Sequence, residues 1–177
     1  MTLYQYAQQT ERSGIEFYQK MADQAKQEGV GRIFGMMAAD EEKLLDKLEV
    51  FRRNYPEISD IECDSLDDKA IPFNRICDNG HCQRIFTDLD AYRLAIEAEE
   101  RVAQQYLDAA DKEKDPHVKE ILNWMAALEK HELRQIEQLY DFAEAPNRSL
   151  EWGEFSNLDE FHNFGYYGDL RRGELKT

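Results

Sequence analysis

Positive charge is scarce in this chain. Lysine and arginine total 22 against 37 aspartates and glutamates, which leaves a formal net charge of −15 and a pI near 4.7. A surface this acidic lacks the basic face that nucleic acid or an anionic membrane requires, so neither is an expected partner. Cysteine is equally sparse: three in 177 residues do not make a disulfide framework of the secreted kind. No apolar run approaches the ~20 residues needed to cross a bilayer. The start, Met1-Thr2-Leu3-Tyr4-Gln5, lacks the basic-then-apolar pattern of a signal peptide. The expected compartment is therefore the cytoplasm. A length of 177 residues, 42% hydrophobic and 33% charged, suits one soluble helical domain with a real core.

What the chain does have is a repeat. Ala38-Ala39-Asp40-Glu41-Glu42-Lys43-Leu44-Leu45 returns 88 residues later as Ala126-Ala127-Leu128-Glu129-Lys130-His131-Glu132-Leu133. The same offset carries Glu11 onto Glu99, Tyr18 onto Tyr106, Val30 onto Val118, Ile33 onto Ile121 and Met37 onto Met125. Segments 7–51 and 95–139 share more than a dozen identities without a gap, so an internal duplication is the first organisation to consider. Its recurring core is Glu, Tyr at +7 and Glu at +30.

Periodicity predicts a helix over 2–28, with Leu3, Ala7, Glu11, Gly14, Tyr18, Met21 and Ala25 on one stripe and Gly29 as terminator. A second helix is expected over 30–54, ending before Pro56, with Ile33 or Phe34, Met37, Glu41, Leu44, Leu48 and Phe51 inward. The short break makes the two an antiparallel hairpin, which brings Glu11 and Glu41 to heights within about two turns of each other. Residues 55–86 break the pattern and read as an irregular crossover. The third helix starts at Thr87 or Asp88 and runs to about Lys114, with Tyr92, Ala95, Glu99, Val102 or Ala103, Tyr106 and Ala110 on its stripe. Asp115-Pro116 opens the fourth as cap and first residue. Val118, Ile121, Met125, Leu128 or Glu129, Glu132, Ile136 and Leu139 face inward, and the helix fades near Phe142-Ala143. The expected fold is all-α: a four-helix bundle over 1–143, two repeated hairpins joined by a crossover at about 55–86. A C-terminal tail, 144–177, is rich in aromatics (Trp152, Phe155, Phe161, Phe164, Tyr166, Tyr167) and is expected to dock on the bundle or on a second subunit.

A lone glutamate on an apolar stripe usually marks the stripe's edge, with its head in water. Glutamates at matching positions of a twofold repeat would instead converge at mid-bundle. An unpaired carboxylate there costs several kcal/mol, and protonation or a multivalent cation removes that cost. Carboxylate oxygens suit hard or borderline metals, and glutamates that can bridge suit a dinuclear site.

On these residues the chain resembles the rubrerythrin branch of the ferritin-like superfamily, over roughly residues 3–143. In that family each half carries a helix with Glu and Tyr seven apart, then a helix with Glu-x-x-His. The resemblance implies a ferritin-like bundle with a di-iron site, in which Glu11 and Glu99 are terminal ligands and Glu41 and Glu129 bridge. It further implies oxidation of iron or reduction of peroxide. Tyr18 and Tyr106 would stand behind the ligands. Two departures bear on this. The family's histidine positions hold Leu44 and Glu132, of which only Glu132 can ligate, and His131 sits about 100° around the helix from the site. The rubredoxin-like domain with paired Cys-x-x-Cys is also missing from these 177 residues. The expected cofactor is iron, two per site or one tightly held, with zinc or another divalent metal as the alternative. The rival reading is a degenerate bundle that serves as a structural or regulatory interaction module. A homodimer or larger homo-oligomer is expected. The last residues, Gly168-Asp169-Leu170-Arg171-Arg172-Gly173, resemble peptides that load cargo into encapsulin shells, which makes such a shell a candidate partner. Cys63, Cys77, His81 and Cys82 form a weaker candidate for a zinc or redox site.

Overall fold

The computed structural model describes residues 1–59, 61–78 and 87–156. They divide into two units, Met1–Tyr140 and residues from Asp141 onward. Long helices dominate: α1 (Leu3–Gln24), α2 (Glu28–Asn54), α5 (Asp88–Lys112) and α6 (Pro116–Ser156), with short α3 (Pro56–Ser59) and α4 (Pro72–Asp78) between the pairs. This is the expected all-α, ferritin-like bundle.

Three of the four long helices begin at a side-chain cap, and α2 begins without one. Thr2 caps α1 through a box with Gln5, and Thr87 caps α5 through a box with Asp90. Asp115 Oδ1 accepts from the backbone N–H of His117, 2.8 Å, and Val118, 3.4 Å, at the head of α6. The apolar stripes face a common core: Leu3, Ala7, Tyr18 and Met21 from α1, and Phe34, Ala38 and Leu48 from α2. Tyr92, Ala95, Val102 and Tyr106 come from α5, and Val118, Leu122, Met125 and Ile136 from α6. Tyr6, Thr10 and Phe17 are buried beside the predicted α1 stripe, because this helix is covered on more than one side.

Three expectations fail at the connections. Gly29 does not end the first helix. It lies in the first turn of α2, and the break is at residues 25–27. There the N–H groups of Lys26 and Gln27 donate to the Asp88 carboxylate, at 2.8 and 3.2 Å, so a residue 61 or 62 positions away fixes the turn. The crossover is not irregular throughout. Pro56 and Pro72 act as first residues of α3 and α4, where a missing N–H costs nothing. Leu66, Ile71, Phe73 and Ile76 from this stretch are all buried. Its start is tied to the N-terminus, with Leu3 N–H to Ile61 O at 3.0 Å and Cys63 N–H to Met1 O at 3.1 Å. Finally, α6 does not fade at Phe142-Ala143 but continues to Ser156. The apolar stripe ends there while helix-forming residues such as Leu150, Glu151 and Glu154 continue, and backbone hydrogen bonding needs no stripe. Residues 157–177, with the cargo-like peptide, lie outside the described residues.

Candidate metal centre

Four helices each deliver one glutamate to mid-bundle. Glu11 from α1, Glu41 from α2, Glu99 from α5 and Glu129 from α6 are all buried, Glu99 completely. The stripe ambiguity on α6 resolves to Glu129, with Leu128 only half-buried. Glu132, one turn further along α6, is half-buried and joins the group. Carboxylate oxygens of Glu41, Glu99 and Glu132 lie within 4.8 Å of one another. His131 is exposed and pairs with the amide of Gln135 at 3.4 Å, pointing away from the centre as its helix angle requires. Leu44 is half-buried and has no donor atom to offer.

Room for this cluster is made by a small residue. A Cβ on Gly14 of α1 would come within 3.4 Å of the Glu41 carboxyl carbon and 3.3 Å of the Phe73 ring. The missing side chain lets the Glu41 head and Phe73 pack directly against α1. Phe73, from the crossover, also meets Phe17 and Tyr18, at ring-centre distances of 5.4 and 6.0 Å. Sequence reading missed this wall residue, since Phe73 lies in a short apolar stretch, Ile71 to Ile76, inside a segment that reads as an irregular crossover.

The tyrosines of the repeat behave differently from each other. The Tyr18 hydroxyl donates to Glu99 Oε1 across the bundle, a short hydrogen bond between two buried groups. The Tyr106 hydroxyl is buried without a hydrogen-bond partner. Its ring stands edge-on to Tyr6 at 5.6 Å.

Burial pushes every carboxyl of the cluster upward. Glu11, Glu99 and Glu129 are raised well above the ordinary glutamate range, all first by desolvation, Glu11 next by its hydrogen bond to Glu41, and Glu99 and Glu129 next by the charges of their neighbours. Glu41 is raised by the same desolvation, partly offset by a hydrogen bond in which Glu11 carries the proton. Glu132 is pushed up to about 8, by burial, then by Glu41 and Asp40, with Lys47 opposing. Burial therefore favours the protonated form of each of these carboxyls when no cation is bound.

The donor set fits a metal. Glu99 Oε2 and Glu132 Oε2 are buried and lack any hydrogen-bond partner, a costly state that a cation between them would relieve. All the donors are carboxylate oxygens, which suits hard or borderline cations. The weaker cysteine candidate gains no such support. Cys63 is buried, its thiol raised by desolvation and 4.0 Å from Glu113 Oε2. The Cys77 side chain, His81 and Cys82 lie outside the described residues.

Comparison with known proteins bears on the same region. No curated protein and no solved structure gives a significant match. The family model described as Rubrerythrin matches residues 3–140, which takes in α1, α2, α5, the first part of α6 and every glutamate of the centre. With that match covering most of its length, the chain belongs to the rubrerythrin family.

Proposed function

We propose that this protein binds divalent metal, iron in the first instance, at the five-glutamate centre and uses it in iron oxidation or peroxide reduction. The observation that carries the reading is the convergence of five buried or half-buried carboxyls from four helices inside a rubrerythrin-family bundle. By family resemblance Glu11 and Glu99 would be terminal ligands, Glu41 and Glu129 would bridge, and Glu132 would add an oxygen where the family has a histidine. Iron, when bound, supplies the one-electron chemistry toward O2 or peroxide that no side chain here can perform.

The protein's own contribution is positional. Tyr18 holds Glu99 through Oε1 and leaves Oε2 turned to the centre without a competing bond. Phe17, Tyr18, Phe34, Phe73 and Tyr92, all fully buried or nearly so, wall the neighbourhood and keep water from the carboxyls. In the low dielectric that results, ion–carboxylate attraction is far stronger than in water. The glutamate protons leave as cation charge replaces them, so binding weakens as pH falls.

The test joins metal content per chain after expression in iron-supplemented medium to stopped-flow absorbance on mixing metal-free protein, ferrous iron and peroxide. Close to two irons with rapid, saturable oxidation is expected, and Glu129→Ala should lose at least one of them. Oxidation no faster than the uncatalysed background would overturn the redox reading. Leu44, which puts no donor where a ligand would stand, favours one alternative: a bundle with a partial, redox-inert metal site. That reading expects one metal per chain and no oxidation. Assembly as a homodimer or larger is part of the same proposal, and a monomer in sedimentation analysis would remove it.

A further inference from the structure

The five carboxyls are not equally placed. Glu11, Glu41, Glu99 and Glu129 are sealed, whereas Glu132 alone is half-buried. Its charged neighbours on α2 are Glu41, Asp40 and the opposing Lys47. Asp40 is exposed and paired at 2.6 Å with Lys43, itself largely in solvent. By contrast, around Gly14 the centre is closed by Phe73, packed on Phe17 and Tyr18 with almost none of its own surface exposed.

Nor are the carboxyls equally free. Among the described residues the unpartnered buried carboxyl oxygens are Glu99 Oε2 and Glu132 Oε2, and both residues belong to the tight group with Glu41. Glu99 is already oriented by Tyr18. On the other side, Glu11 is engaged with Glu41, the Tyr106 hydroxyl orients nothing, and Leu44 offers no donor. A cation arriving at the Glu41, Glu99 and Glu132 group finds two carboxyl oxygens, Glu99 Oε2 and Glu132 Oε2, with no hydrogen bond to give up. Among the described residues Glu11 offers no such oxygen.

We infer that a cation enters between α2 and α6, past Asp40, meets Glu132 first, and seats on Glu41, Glu99 and Glu132. The half around Glu11 and Leu44 fills second and more weakly. This rests on the metal-binding reading and adds to it a route, an order and an inequality between two metal positions. It also assigns Glu132 a double part, as the mouth of the centre and as a ligand of its first-filled half. Asp40 is a positioning residue: it draws cations to the mouth by its field and touches none in the seated state. The ligands are oxygens only, so the first seat takes hard divalent ions such as Mn2+ without the nitrogen donor that strengthens zinc binding.

The experiment uses Mn2+ alone, without oxidant, added to the full-length protein stripped of metal. Calorimetry counts equivalents, electron paramagnetic resonance separates isolated from coupled ions, and stopped-flow gives the rate of uptake. Wild type should bind a first equivalent roughly tenfold or more tighter than a second, because the ligand charge around the two positions differs. The first equivalent should show the six-line spectrum of an isolated ion. Glu132→Gln, nearly isosteric, should lower the first affinity by about tenfold or more through loss of one charged ligand. Asp40→Asn, an exposed change that leaves the core intact, should slow uptake several-fold at low salt and leave release unchanged, as a steering charge does.

Two equal equivalents with a coupled spectrum from the start would overturn the order. Unchanged first affinity in Glu132→Gln would overturn the seat, and unchanged uptake in Asp40→Asn would overturn the route. Ordered Mn2+ binding without iron oxidation would sink the redox reading alone. Rapid iron oxidation with equal Mn2+ sites would sink this inference alone.

Discussion

The two halves of the repeat are the same motif twice and yet do different things. Each contributes Glu, Tyr at +7 and Glu at +30, and each places both glutamates in the core. From the first half, Tyr18 crosses the bundle to hold Glu99. Its counterpart Tyr106 holds nothing. One turn after the second glutamate, the first half has Leu44 and the second has Glu132, whose oxygen faces Glu41 and Glu99. A duplication thus preserves backbone and burial while a few side chains divide the labour. Symmetry of fold does not entail symmetry of chemistry.

The comparison breaks hardest through pH. A carboxyl whose folded pKa is raised binds more protons folded than unfolded, so its contribution to stability is complete below the unfolded value and lost as pH rises through the folded one. Glu132 at about 8, against about 4.3 for a free glutamate, alone represents several kcal/mol of pH-dependent stability, to order of magnitude. Glu11, Glu41, Glu99 and Glu129 shift in the same direction. Metal-free protein should therefore melt at progressively lower temperature from about pH 4.5 upward, through and beyond about pH 8. Metal-loaded protein should show the opposite slope over the lower part of that range, where protons compete with the cation. Thermal melts with and without chelator read both. A metal-free protein that gains stability between pH 5 and 8 would mean the carboxyls are solvated and ionised.

Giving the first half a donor sharpens the contrast next. Leu44→His should raise the bound divalent metal by about one equivalent per chain and draw the two affinities together, since imidazole adds a donor where none stands. Metal analysis after dialysis measures it, and no change would mean that position 44 does not face the centre.

A smaller effect separates the tyrosines. Tyr18→Phe should destabilise the metal-free protein by about 1–3 kcal/mol, because it strips a buried acceptor of its donor. Tyr106→Phe should cost less than about 0.5 kcal/mol or stabilise slightly, because it removes a buried hydroxyl that bonds to nothing. Denaturant melts of both variants decide this. Equal costs would show that the two tyrosines are equivalent after all.

Much of this molecule is legible in its residues. The 88-residue offset implies two hairpins, and period-3.6 stripes with one acid in each point to Glu11, Glu41, Glu99 and Glu129. The helix angle also puts His131 outside, where it is. What is not legible depends on distant partners. The turn after α1 is set by Asp88, and the crossover packs because Ile71, Phe73 and Ile76 find a core elsewhere in the chain. Glu132 lies on the inward stripe of α6, but that its carboxyl meets Glu41 and Glu99 depends on helices elsewhere in the chain.

Sequence alone determined that the chain forms long amphipathic helices in duplicate and that each buries a carboxylate, because hydrophobic period and helix geometry are local properties. Only the tertiary structure decided which oxygens meet, which tyrosine holds which glutamate, and which face Phe73 closes. Those depend on how helices far apart in sequence face one another, and a carboxylate acquires its proton affinity and its appetite for a cation only from the groups that surround it.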